Sequence, residues 1–213
     1  MKIGVIGATG KAGSLIVKEA LSRGHEVTAI VRDATKVKED TVSILEKDIF
    51  DLTGEDVSAF DAVVNAFGAP LGSEHLHVEA GRSLIKAFKK APDTRLLLVG
   101  GAGSLYVNDE KTVRVVDSPD FPPQYKQTAL NQAQNLQDLK QSEGIKWTFI
   151  SPSAFFDPAG KRTGSYVAGQ ENLLLNSKGN SYVSYADYAI AVVDEIETGK
   201  HVNQRFTVVS EAE

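Results

Sequence analysis

The residues best placed to do chemistry stand near the amino terminus. Gly7-Ala8-Thr9-Gly10-Lys11-Ala12-Gly13 has the spacing G-x-x-G-x-x-G, directly after a β-branched run and directly before an apolar repeat of helical period. Glycine serves three ends there: it turns the chain without a Cβ clash, lets bare backbone approach a pyrophosphate, and lets helix and strand pack closely. The helix start would face the phosphates with free N–H groups and the positive end of its dipole. A βα turn using glycine only for geometry is the alternative, but strand, loop, helix and following strand together predict a dinucleotide site. The end of the second strand decides the cofactor type, because an acidic side chain there bonds a ribose 2′-hydroxyl and an arginine pairs with a 2′-phosphate. Val31 is followed by Arg32 and, further on, Lys36. These cations favour NADPH over NADH; the alternatives are a solvated surface pair and an Asp33 turned inward to a ribose hydroxyl.

The elements that must position this loop alternate in type. Strand patterns fall at 2–6, 26–31, 42–45, 62–65, 95–99, 146–150 and 205–209, and helical patterns at 11–23, 74–90, 124–142 and 185–196. Leu15, Ile16, Ala20 and Leu21 hold helical spacing before Gly24, and Leu76, Ala80, Leu84, Ile85 and Phe88 do so before Pro92. The run Leu96-Leu97-Leu98-Val99 has no polar alternation, as in strands covered on both faces. The pattern predicts an α/β fold of Rossmann type: a doubly wound, mostly parallel sheet with helices on both faces, one domain over residues 1–213. Residues 153–184 break the alternation with Gly-rich, Pro-containing sequence, and a long loop of this kind is read as a substrate-side cover.

Composition narrows the function. The 213 residues are 42% apolar and 24% charged, and 28 acidic against 23 basic residues give a net charge of −5. Without a basic tract, nucleic acid is not an expected partner. The absence of cysteine excludes disulfides, thiolate catalysis and zinc–thiolate sites. No apolar run approaches the roughly 20 residues of a membrane span, and Met1-Lys2 leads straight into a strand, so a cytoplasmic protein with no membrane partner is expected. No metal is expected either. His75 and His77 stand two apart on a helix and diverge by about 200°. The acidic run Asp194-Glu195-x-Glu197 reads as an exposed helix face.

With the glycine loop, Val31-Arg32-Asp33, Lys47-Asp48-Ile49-Phe50-Asp51 and Asn65-Ala66-Phe67-Gly68 in order, the chain resembles the atypical short-chain dehydrogenases/reductases over nearly its whole length. It is most similar to the small NmrA-like and biliverdin-IXβ-reductase/flavin-reductase proteins, known as NADH-flavin reductases. The resemblance implies that Asp48 and Ile49 lie beside the adenine, that Asn65, Ala66, Phe67 and Gly68 line the cofactor, and that Ser151, Pro152 and Ser153 lie beside the nicotinamide amide. Residues 147–152 and Lys161-Arg162-Thr163-Gly164 also resemble this group, the latter with no chemistry assigned.

One departure from the family matters. Its usual Tyr-x-x-x-Lys pair exchanges a proton with substrate oxygen, the lysine lowering the tyrosine's pKa. Here Tyr125 is the candidate, but Ala129 stands where the lysine would be, and Lys126 points about 100° away. A flavin or quinone suits this gap, since hydride addition to an electron-poor ring depends mainly on positioning. Ser104, in the loop after the fifth strand, is a second catalytic candidate or else a turn-forming serine. Phe155 and Phe156 are read as an apolar wall for the ring, or else as core. The expectation is an NADPH-dependent reductase of a small aromatic acceptor; the alternative is a regulatory protein that senses the dinucleotide and turns over nothing. A sugar-nucleotide epimerase would need a larger C-terminal region.

Overall fold

Strands β1 (Lys2–Ile6), β2 (Glu26–Val31) and β3 (Ser43–Glu46) build one half of a sheet outward from β1, and β4 (Ala62–Asn65), β5 (Arg95–Val99) and β6 (Lys146–Ser151) build the other half outward from its opposite side. All are parallel, and β10 (Gln204–Val209) continues them beside β6. The structure is a computed structural model and describes residues 1–212. Because β2 and β4 flank β1, the strand order reverses there and leaves a crevice beyond the carboxyl ends of β1 and β4, where such sheets bind ligands.

Side chains alternate across each strand, so two cores form. Ile3 and Val5 of β1 and Leu97 of β5 join α1 (Lys11–Ser22) and α5 (Tyr185–Thr198) on one face. Ile6, Leu96 and Leu98 join α3 (Leu76–Phe88) and α4 (Lys126–Lys140) on the other. The expected doubly wound architecture is what forms. A short helix, α2 (Gly54–Ser58), escapes sequence periodicity because it spans little more than one turn; Thr53 and Asp56 cap it reciprocally.

The segment 153–184 differs from the expected irregular cover. β7 (Phe155–Asp157) pairs in parallel with β9 (Tyr182–Ser184), and β8 (Val167–Gly169) joins the main sheet antiparallel to β10. Three-residue strands are too short to show a period. Residues 162–164, the stretch without assigned chemistry, fasten this ribbon to the helices: Arg162 donates to Glu19, while the Thr163 hydroxyl and the amides of Thr163 and Gly164 donate to Asp187. Tyr166 donates to Asp194 at 2.8 Å. The acidic run on α5 is therefore no solvated face. Glu195 is 2% exposed, accepts from Arg95 at 2.7 Å and meets His201 at 2.8 Å, because β5 and β10 both reach beneath that helix end.

Candidate functional site

A groove of about 230 Å³ opens at the crevice, with Gly7, Gly10, Arg32, Ile49, Phe67 and Gly68 among its lining. Its floor is bare backbone for steric reasons. Gly7 has φ 73°, and a Cβ there would stand 2.8 Å from the Ala66 carbonyl oxygen; a Cβ on Gly13 would stand 2.2 Å from the Gly7 oxygen. Gly10 caps α1 without a side chain, and the helical ladder begins with the Ser14 amide on the Gly10 carbonyl at 2.9 Å. The amides of Lys11, Ala12 and Gly13 precede that ladder, and the first turn carries no acidic residue. A diphosphate fits such a cradle. Thr9 lines the groove, while Ala8 is buried behind the loop.

The rim carries the cations. The Arg32 side chain is 76% exposed, with its nearest carboxylate oxygen, on Asp48, 4.0 Å away. Asp33 also lines the groove, but its carboxylate is engaged within its own turn. Its carboxylate accepts from the Thr35 amide and hydroxyl and pairs with Lys36 at 3.3 Å, and those bonds, the Thr35 hydroxyl first, hold its carboxyl below the ordinary range. Lys36 thus meets its own counter-charge, and Arg32 is the less neutralised cation. Lys47, which the sequence analysis quoted in a motif without assigning it a role, also lines the groove and is bonded to Asp56 at 2.7 Å.

Turn chemistry explains the other residues here. Asp48 accepts from the Phe50 amide and caps the turn that holds Ile49 in the groove wall. Asn65 is buried at the end of β4, and its side-chain oxygen accepts from the Phe67 amide at 3.0 Å, shaping the Ala66-Phe67-Gly68 edge. Phe67 stands edge-on to Phe50 and His77. Burial pushes the His77 imidazole below its ordinary pKa. Among the described residues no cluster of His, Asp or Glu could hold a metal, and no helix is long and apolar enough to cross a membrane.

Several expected site residues lie elsewhere. The Ser104 hydroxyl accepts from Arg205 at 3.1 Å and lines a separate cavity of about 300 Å³ with Tyr106, Lys140 and Glu171. Arg205, 1% exposed, pairs with Glu171, whose carboxyl stays below its ordinary pKa because that cation outweighs the effect of burial. A cation within a mostly apolar strand was its signal in the sequence. Ser151 is buried beside the same guanidinium, Pro152 is buried next to it, and the Ser153 hydroxyl donates to the Val208 carbonyl at 2.8 Å, so both serine hydroxyls face β10. Tyr125 stands 56% exposed at the start of α4, outside the lining of the groove, and Ala129 is buried one turn on.

Phe155 and Phe156 do not form one wall, since neighbours on a strand point to opposite faces. Phe156 packs on Tyr185 at 3.8 Å and Tyr188 at 4.7 Å between ring centroids. Phe155 is 60% exposed, with Tyr182 at 5.7 Å.

The chain belongs to the NAD(P)H-binding family, whose model matches residues 7–198. It is 67% identical to the uncharacterized protein YwnB of Bacillus subtilis (strain 168) over 213 residues, 100% of both chains. It superposes with TM-score 0.94 and 45% identity on a protein of Streptococcus pneumoniae TIGR4 provisionally designated an NADH-flavin reductase, covering 99% of this chain and 100% of that one. A phenylcoumaran benzylic ether reductase of Betula pendula is 26% identical over 220 residues, 92% of this chain and 66% of that enzyme.

Proposed function

We propose that this NAD(P)H-dependent oxidoreductase uses NADPH to reduce a flat aromatic acceptor, a flavin first and a quinone second. The observation that carries the reading is the cradle at Gly7, Gly10 and Gly13, which has no room for a Cβ at Gly7 or Gly13 and ends at the little-neutralised Arg32. In this reading the amides at the start of α1 hold the pyrophosphate, Arg32 meets the 2′-phosphate with Lys36 beside it, and residues 65–68 bound the dinucleotide along β4. The bound nicotinamide supplies a hydride. The chain's part is to hold donor and acceptor in register and to exclude water.

The acceptor class is supported by what the site lacks and by what it offers. Ala129 stands where the family's lysine would be and Tyr125 lies outside the groove, so a ketone would find no proton donor of the usual kind, whereas an electron-poor ring needs none from the protein. Phe155 offers an exposed ring four residues beyond Ser151, the end of β6. The designation of the Streptococcus protein points the same way.

Anaerobic stopped-flow absorbance at 340 nm, mixing protein and NADPH with excess FMN, riboflavin or a benzoquinone, tests the proposal. Protein-dependent loss of NADPH that saturates in acceptor is the expected result. Tight NADPH binding with no turnover against any of the three would overturn it and leave the nucleotide-sensing alternative.

A further inference from the structure

Beside the dinucleotide groove lies a recess of about 230 Å³, bounded by α1 on one side and by the segment that follows β2 on the other. The two spaces adjoin, since Thr9 and Lys36 line both. Val17 and Ala29, both buried, give the recess an apolar floor. Recognition there falls to the polar groups around it: Thr9, Ser14, Lys18, Lys36, Lys38 and Glu39.

The cations that line groove and recess are not equally free. Lys47 is bonded to Asp56 at 2.7 Å, Lys36 meets Asp33 at 3.3 Å, and Lys18 meets Glu39 at 3.7 Å. Arg32 has an Asp48 oxygen at 4.0 Å. Lys38 differs from all of these: among the described residues its ammonium makes no ion pair and no hydrogen bond, and the carboxylate that lines the recess, Glu39, pairs with Lys18 instead.

A phosphate monoester carries about −1.5 to −2 charges at pH 7, so one guanidinium matches only part of it. Lys36 adds little net charge, because Asp33 offsets it within the same turn. That same turn engages the Asp33 carboxylate with Thr35, which withdraws the acidic group that would otherwise suit a ribose 2′-hydroxyl. The cation left to complete the match stands two residues beyond Lys36, on a flexible four-carbon stem.

We infer that Lys38 is a specificity-determining residue, the second cation on the ribose 2′-phosphate, which lies where groove and recess meet at Thr9 and Lys36. The inference rests on the NADPH reading and deepens it: Arg32 and Lys38 supply the net charge, while Lys36 and Asp33 neutralise each other and shape the turn.

The test is calorimetric titration of NADPH and of NADH into wild type, Lys38→Gln and Lys38→Arg, with thermal melting to check that each variant is folded. Lys38→Gln should weaken NADPH about fivefold, the scale of one solvent-exposed charge contact. Lys38→Arg should restore wild-type affinity, and NADH should bind all three proteins alike. A Lys38→Gln variant that binds NADPH as wild type does, or one that loses NADPH and NADH equally, would overturn the inference. The two readings fail separately. Wild type that prefers NADPH, with Lys38→Gln preferring it to the same degree, keeps the NADPH reading and loses Lys38; wild type that binds both cofactors equally loses the 2′-phosphate contact altogether.

Discussion

At the rim of the groove, Arg32 and Lys36 reach into water and their partners sit on the same turn or the next. Beneath α5, Glu195 is closed off from water and takes its bonds from Arg95, a hundred residues away in sequence, and from His201. Both regions are rich in charge, yet they do different work. An exposed ion pair contributes little to stability and leaves its cation available to an incoming phosphate. A buried carboxylate must be matched, since the loss of one partner strands a charge that cannot be hydrated. The groove is therefore arranged to receive a ligand, and the charges around Glu195 to hold the chain in place.

The sharpest way to break this contrast is to remove a buried partner. Glu195→Ala should cost about 3 kcal/mol in urea unfolding, because Arg95, largely shielded from water, loses its carboxylate partner. Arg95→Met with Glu195→Leu should recover most of that loss. A cost below about 1 kcal/mol for Glu195→Ala would place this pair with surface ones. Next in size is Gly13→Ala, whose Cβ must displace the Gly7 carbonyl. NADPH affinity by calorimetric titration should fall on the order of 100-fold, about 2.7 kcal/mol. An unchanged affinity would show that the loop binds no pyrophosphate.

Arg32→Ala should weaken NADPH about tenfold and leave NADH unchanged, which fits a charge that acts only on a 2′-phosphate. Equal loss for both cofactors would assign Arg32 to the adenine or the loop instead. The smallest effect is expected at His77. Its folded-state pKa lies below the unfolded value, so above about pH 6.5 both states are neutral there; as pH falls through that value the unfolded state takes up the proton first and stability declines. The slope is at most about 1.4 kcal/mol per pH unit, and it levels off below the folded pKa. Urea midpoints at pH 7.5 and 5.5 should differ more in wild type than in His77→Phe. Equal differences would remove this histidine from the pH response.

The turns that shape the groove were legible in the sequence. Gly13, Asp48 and Asn65 act on backbone within a few residues of themselves, and such short-range geometry leaves a spacing in the sequence. Ser104 and Phe156 were misplaced for the converse reason. What each side chain faces, Arg205 in one case and Tyr185 with Tyr188 in the other, lies far along the chain, and a serine after a strand looks the same whether it meets a ligand or a buried guanidinium. The ribbon strands were invisible because three residues cannot display a period.

By itself the sequence determined the alternation of strands and helices, the doubly wound sheet and the glycine cradle, because hydrophobic periodicity and glycine's freedom from Cβ are local properties that survive in one dimension. Only the tertiary structure decided which charges are buried, that residues 162–164 are a clamp, and that Phe155 faces a cavity while Phe156 faces the core. Those outcomes depend on which distant segments pack together, and burial is a property of that packing.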